Sequence, residues 1–255
     1  MKFSMRGRLS DCLLLAYRVP AEGVRHLLPA PLEPVTRGRW AFWNLVACRV
    51  EAMRPRGTPR SLGLTYCHVA YRLYVRARTT SGKSIDGLYF VRSDCDHPSV
   101  TRLGELFTDF RFHTAKIAVG AARDGYGADV TASRYGAAEA HVRAVDADHF
   151  HLQPDSCFDT VEQAAALLKY RPVAMSVDED DPRHVKLAEV IRDESRWHET
   201  PLRVTSQNWG FFEYAGQEGA RLEWATRVDP LEYRWRLGRR AKVAATELPE
   251  LAVAH

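Results

Sequence analysis

Between Thr65 and Arg78 the side-chain types alternate with a period of two, and one row of that alternation carries His68, Arg72 and Arg76. Successive side chains of a β-strand point to opposite faces, so these three share a face with Tyr74, while Cys67, Val69, Tyr71, Leu73 and Val75 make an apolar one. A guanidinium in the middle of such a strand must find an acceptor. Either it forms a structural ion pair, with Asp94 or Glu51 as partner, or it clamps the carboxylate of a ligand. Histidine near its usual pKa of about 6.5 serves as acid, base or metal ligand, or is satisfied by a neighbouring backbone group. Lys116 lies near the start of another strand-like run, Thr114 to Ala122, with few other charges. A lysine beside arginines and shielded from water has a depressed pKa and acts as an amine nucleophile, whereas one at a sheet edge snorkels its ammonium to water. Lys116 and His68 are therefore the catalytic candidates. Arg72, His113, Phe112 and Tyr74 are the candidates for holding a substrate.

Other constellations are weaker. His149 and His151 have the i, i+2 spacing that puts two imidazoles on one strand face, with Asp146 and Asp148 nearby, but no third ligand stands at a fixed spacing. No metal site and no cofactor are expected. The group Asp94, Cys95, Asp96 and His97 precedes Pro98 and suits the capping of a following helix better than coordination. Five cysteines, odd in number and without a CxxC pair, suggest reduced thiols and a cytoplasmic protein. A net charge of +4 on 36 basic and 32 acidic residues is too small and too dispersed to imply nucleic acid, and the basic stretch Arg234, Arg236, Arg239, Arg240 and Lys242 reads as a solvated cationic end. No run approaches the roughly 18 to 20 apolar residues of a membrane helix, so no membrane partner is expected. The expected partner is a small-molecule ligand, and a homo-oligomer stays open.

The elements that must position these groups are mostly strands. Strand patterns occupy 11 to 18, 39 to 53, 64 to 78 and 83 to 94, the last two joined by the turn Thr79 to Gly82. Further strand runs lie at 112 to 122, 128 to 135, 138 to 145, 184 to 191, 201 to 214 and 220 to 228. Pro20 opens a helical turn that Pro29 stops. Val100, Leu103 and Phe107 have helical spacing behind Pro98. A second helix spans Asp159 to Lys169, capped by Asp159 or Thr160. About ten strands and three short helices suggest a barrel or sandwich with helices packed outside. A single domain over 1–238 is expected, followed by a fraying tail over 239–255.

The strings LLLAYRVPAEGVRHLLPAPLEP, GRWAFWNLVACRVEAMRPRGTP, YRLYVR, GLYFVRSD and FRFHTAKI, in that order over roughly 11 to 135, resemble the YqjF-like family of unknown function in the acetoacetate decarboxylase-like superfamily. That resemblance implies a predominantly β, α+β fold: an antiparallel β-barrel of acetoacetate decarboxylase-like type, with a ligand cavity inside and a few flanking helices. The decarboxylases use a lysine amine to form a Schiff base with a β-keto acid, and carry it in a Pro-Lys-Lys string entering a strand. Here Arg111 falls at the proline and Phe112 and His113 at the two lysines, with Lys116 following at even offset from Phe112. His68 stands where these relatives tend to carry a glutamate. The resulting expectation is a protein binding a small carbonyl or carboxylate compound, either as a Schiff-base lyase or as a non-catalytic binding or sensing protein. A metal enzyme using the histidine pair is the remaining alternative.

Overall fold

The computed structural model describes residues 3–131, 138–168 and 171–244. In chain order the strands are β1 (Phe3–Pro20), β2 (Glu33–Pro34), β3 (Thr36–Arg37), β4 (Trp40–Pro55), β5 (Leu64–Arg78), β6 (Ser84–Cys95), β7 (Phe112–Thr114), β8 (Lys116–Ala122), β9 (Gly125–Thr131), β10 (Ala140–Asp146), β11 (Val173–Val177), β12 (His184–Arg192), β13 (Glu199–Trp209), β14 (Arg221–Val228) and β15 (Leu231–Lys242). The α-helices are α1 (Glu22–Arg25), α2 (Pro98–Phe107), α3 (Val161–Leu168) and α4 (Gly210–Tyr214). The chain is predominantly β, as its alternating patterns require.

Strands β4, β5, β6, β11, β12, β15 and β1 are hydrogen-bonded neighbours in that order, and β1 pairs with β4, so seven strands close a ring. The expected all-antiparallel sheet is corrected to a mixed one, because β6 runs parallel to both β11 and β7. From β1 the sheet continues through β14, β13, β10 and β9 to β8. The ring strands thus carry two cores. Cys12, Leu14, Val46, Cys48, Ala70 and Phe90 belong to an inner cluster, whereas Leu13, Trp43, Leu45, Val69, Tyr71 and Leu73 pack with Val130, Val142 and Phe211 in the other. A Val, Leu or Phe side chain taken fully from water contributes roughly 1.5–3 kcal/mol, and the period-two alternation decides which of them face which core.

Bulges adjust that alternation. Asp11 and Ala52 have φ of 45° and 49°, and lie at register shifts of β1 with β4 and of β4 with β5. Ahead of Asp11 the cavity-facing residues of β1 are the odd-numbered Met5 and Leu9; after it they are Cys12 and Leu14. One inserted residue changes the parity of the whole strand. Ala52 in turn demands a glycine beside it, since a Cβ on Gly63 would lie 2.5 Å from the Ala52 carbonyl carbon.

Strands at 64 to 78 and a helix at 98 to 107 stand where the sequence pattern places them, and Thr160 Oγ1 accepts the Gln163 N–H at 3.2 Å as a cap of α3. Other expectations change. The run 112 to 122 breaks at Ala115 into β7 and β8, which join different parts of the sheet, and the run to 214 ends as α4. His97, at the start of α2, makes no side-chain cap, and Asp96 Oδ1 instead accepts the Cys67 N–H at 2.7 Å. Arg239 to Lys242 are not a tail but the end of β15, paired with Leu187 to His184 of β12. The expectations for 132–135, Lys169 and 245–255 lie outside the described residues. Among the described residues no helix is long and apolar enough to cross a membrane.

Candidate functional site

Ring strands together with α2, Phe112 and Trp197 line a cavity of about 180 Å³ whose wall is largely apolar, with Phe90, Leu231 and Trp235 among its other lining residues. A cavity of roughly 150 Å³ accommodates benzene, and drug-sized ligands need roughly 300–1,000 Å³, so this one suits a compact molecule. Its polar wall includes His68, Arg72 and Arg192.

His68 sits at the middle of a transverse row. Its neighbours in register are Cys48 on β4 and Cys95 on β6, and its ring stacks on Phe112 with centroids 5.5 Å apart. Nε2 is buried and makes no hydrogen bond. Burial, and secondarily the Arg72 charge, push the imidazole down to about 3, so it is neutral at pH 7 rather than poised near its usual value. A buried polar atom without a partner at a cavity wall is a position that a water or a ligand atom can fill.

Arg72, only 3% exposed, also faces the cavity. Its Nη2 donates to Asn44 Oδ1 and its Nε to the Asn44 carbonyl at 3.4 Å, while the guanidinium lies 5.5 Å from the Phe90 ring centroid. The two carboxylates considered as its partners are engaged elsewhere: Asp94 accepts from Arg92 at 2.8 Å, and Glu51 accepts from Ser10 Oγ at 2.9 Å. Tyr74 is not a wall residue. Its hydroxyl accepts from Asn44 Nδ2 at 2.7 Å and donates to the Leu168 carbonyl at 2.6 Å. Arg76, further along the same row, binds Asp86 through Nε at 2.7 Å and Nη2 at 3.0 Å.

Lys116 does not reach this cavity. It is exposed on β8, a strand whose Ile117 and Val119 pack against the core on the other face of the ring strands. The even offset from Phe112 fails because the chain changes place in the sheet between β7 and β8. His113, beside Asp94 in the β6–β7 register, is half-buried and off the cavity wall. Among the sequence candidates, then, His68, Arg72 and Phe112 converge; Tyr74, His113 and Lys116 do not.

Sequence reasoning passed over Asn44, Arg192 and Trp197. Asn44 had a signal, since it is the one amide inside the apolar run Trp40 to Val50. The Arg192 guanidinium stands 3.3 Å over the Trp197 ring and donates to Glu194 at 2.9 and 3.2 Å. Cys12 and Cys48 line the cavity too, and burial raises both thiols, Cys48 to about 12, so they stay protonated. The His149 and His151 rings lie 3.9 Å apart in a separate cleft, and among the described residues no three His, Cys, Asp or Glu side chains are grouped to hold a metal ion.

The fold is similar to that of several solved structures of acetoacetate decarboxylase-like proteins. An acetoacetate decarboxylase-like enzyme from Sphingomonas wittichii RW1 aligns over 96% of this chain and 94% of its own at 13% identity, with a TM-score of 0.53. The acetoacetate decarboxylase of Legionella pneumophila subsp. pneumophila aligns over 97% and 88% at 10% identity, TM-score 0.55. The enduracididine biosynthesis enzyme MppR, in complex with pyruvate, aligns over 96% and 91% at 13% identity, also at 0.55. Identities this low carry the fold alone. The model of the DUF2071 family, described as an uncharacterized conserved protein (COG2071), matches residues 6–163, and the chain belongs to that family. No curated protein matches it.

Proposed function

We propose that the seven-stranded ring is a ligand-holding barrel that binds a small organic acid, its carboxylate facing Arg72 and a carbonyl or hydroxyl oxygen meeting His68 Nε2. The observation that carries this reading is the buried His68 Nε2 without a hydrogen bond, on the same wall as a buried guanidinium, in a cavity otherwise lined mainly by carbon. An apolar wall strengthens both interactions, because charge-assisted bonds lose little to water there. The pyruvate held by MppR, a protein of the same fold, fits the class of ligand.

Binding is the primary activity in this reading. A lysine Schiff base would need an amine at the cavity, and among the described residues no lysine lines it. Neutral His68 is also a weak base, with its pKa at about 3. The test is a thermal-shift and NMR screen of pyruvate, longer 2-oxo acids and benzoate, each against its primary amide. The acids should raise the melting temperature, the amides should do so less, and each acid should be recovered unchanged. Equal effects of acid and amide would remove the reading.

A further inference from the structure

We propose that Asn44 and Tyr74 are positioning residues for Arg72, and that the Leu168 carbonyl at the end of α3 sets their orientation. This inference rests on the preceding reading of the cavity. The three side chains form a directed chain whose polarity follows from one end. A carbonyl oxygen can only accept, so the Tyr74 hydroxyl spends its single proton on Leu168 at 2.6 Å. Its oxygen is then left to accept, which obliges Asn44 to present Nδ2, at 2.7 Å. With Nδ2 so placed, Oδ1 points the other way, where Arg72 Nη2 donates to it. The amide cannot turn over without placing two donors against each other at Arg72 and an acceptor against an oxygen that has no proton left.

Burial makes this ordering strict. Asn44 is 2% exposed and Tyr74 1%, so water is not at hand to replace a lost partner. Tyr74 therefore serves the cavity without touching it. On its far side the hydroxyl reports the position of α3, a helix whose Ala164 and Leu168 pack with Tyr74 and Leu88. A shift of that helix end would move the chain that aims the guanidinium.

The test uses benzoate and benzamide, equal in shape and different in charge, titrated into the full-length protein and two variants, with thermal melting as a check on folding. Wild type should prefer benzoate. Tyr74→Phe should weaken benzoate binding by about tenfold, the loss of one buried hydrogen bond's positioning effect, and leave benzamide within about twofold. N44D sets a carboxylate against Arg72 and should erase the preference altogether; it carries the test should Y74F fail to fold. Folded variants that keep the wild-type ratio of benzoate to benzamide affinity would overturn the positioning role. A wild type with no preference for benzoate would instead overturn the reading of the cavity beneath it.

Discussion

The His68 imidazole stacks on the Phe112 ring, with centroids 5.5 Å and planes 29° apart. Phe112 stands where the resemblance to the decarboxylases aligns the first of their two lysines. An aromatic ring thus holds an imidazole at the cavity wall at that position. In the reading proposed above, a wall without a lysine among the described residues and with a neutral histidine serves recognition rather than nucleophilic attack.

Loss of Lys116 should therefore leave the cavity intact. K116A is expected to bind benzoate and pyruvate as wild type does, and borohydride reduction in the presence of pyruvate should add no mass to Lys116. A reduced pyruvate adduct on that residue, seen by peptide mass spectrometry, would contradict the placement.

His68 makes stability depend on pH with a definite sign. Its folded pKa of about 3 lies below the ordinary value, so the unfolded chain takes up the proton first and stability falls as pH drops from about 6.5 towards 3. The slope from this group approaches about 1.4 kcal/mol per pH unit. Urea unfolding at pH 7.5 and 4.5 should show a smaller acid loss in H68Q than in wild type. Identical losses would mean the imidazole is solvated.

Gly104 on α2 lies against Phe112, and a Cβ there would stand 2.3 Å from that ring. Alanine would gain about 1 kcal/mol of helix propensity over glycine, but overpacking costs about 1–3 kcal/mol, so the clash wins. G104A should melt lower than wild type, and F112L in the same chain should restore much of the difference. A G104A protein more stable than wild type would show that α2 stands off the ring.

Much of this could be read from residues, and the failures have physical causes. The period-two alternation from Thr65 to Arg78 put His68 and Arg72 on one face, where the structure has them. Alternation settles the face of a strand but not the part of the sheet to which it belongs, so it left Lys116 open between a place beside the arginines and a sheet edge, and the structure exposes it on β8, the last strand of the sheet. In β15 the pattern was present: Leu231, Tyr233, Trp235 and Leu237 line the cavity, while Glu232, Arg234 and Arg236 are exposed. The density of arginines disguised that strand as a cationic tail. Asn44 mattered through a partner 30 residues away, which no local pattern records.

Because β15 closes the ring, a chain ending at Gly238 should lose its pairing of Arg239 to Lys242 with β12, along with the buried Val243. Circular dichroism should show a lower and broader melt than for the full chain. A melt unchanged from the full chain would mean that closure does not depend on the end of β15.

The most direct test of the account is a calorimetric titration of benzoate and benzamide into wild type and Arg72→Met. A charge-assisted hydrogen bond contributes about 1.5–3 kcal/mol, so wild type should favour benzoate by roughly tenfold or more. The methionine variant should bind both alike, since it keeps the volume and drops the charge. A benzoate preference that survives in the variant, or that is missing from wild type, would contradict a carboxylate held by Arg72.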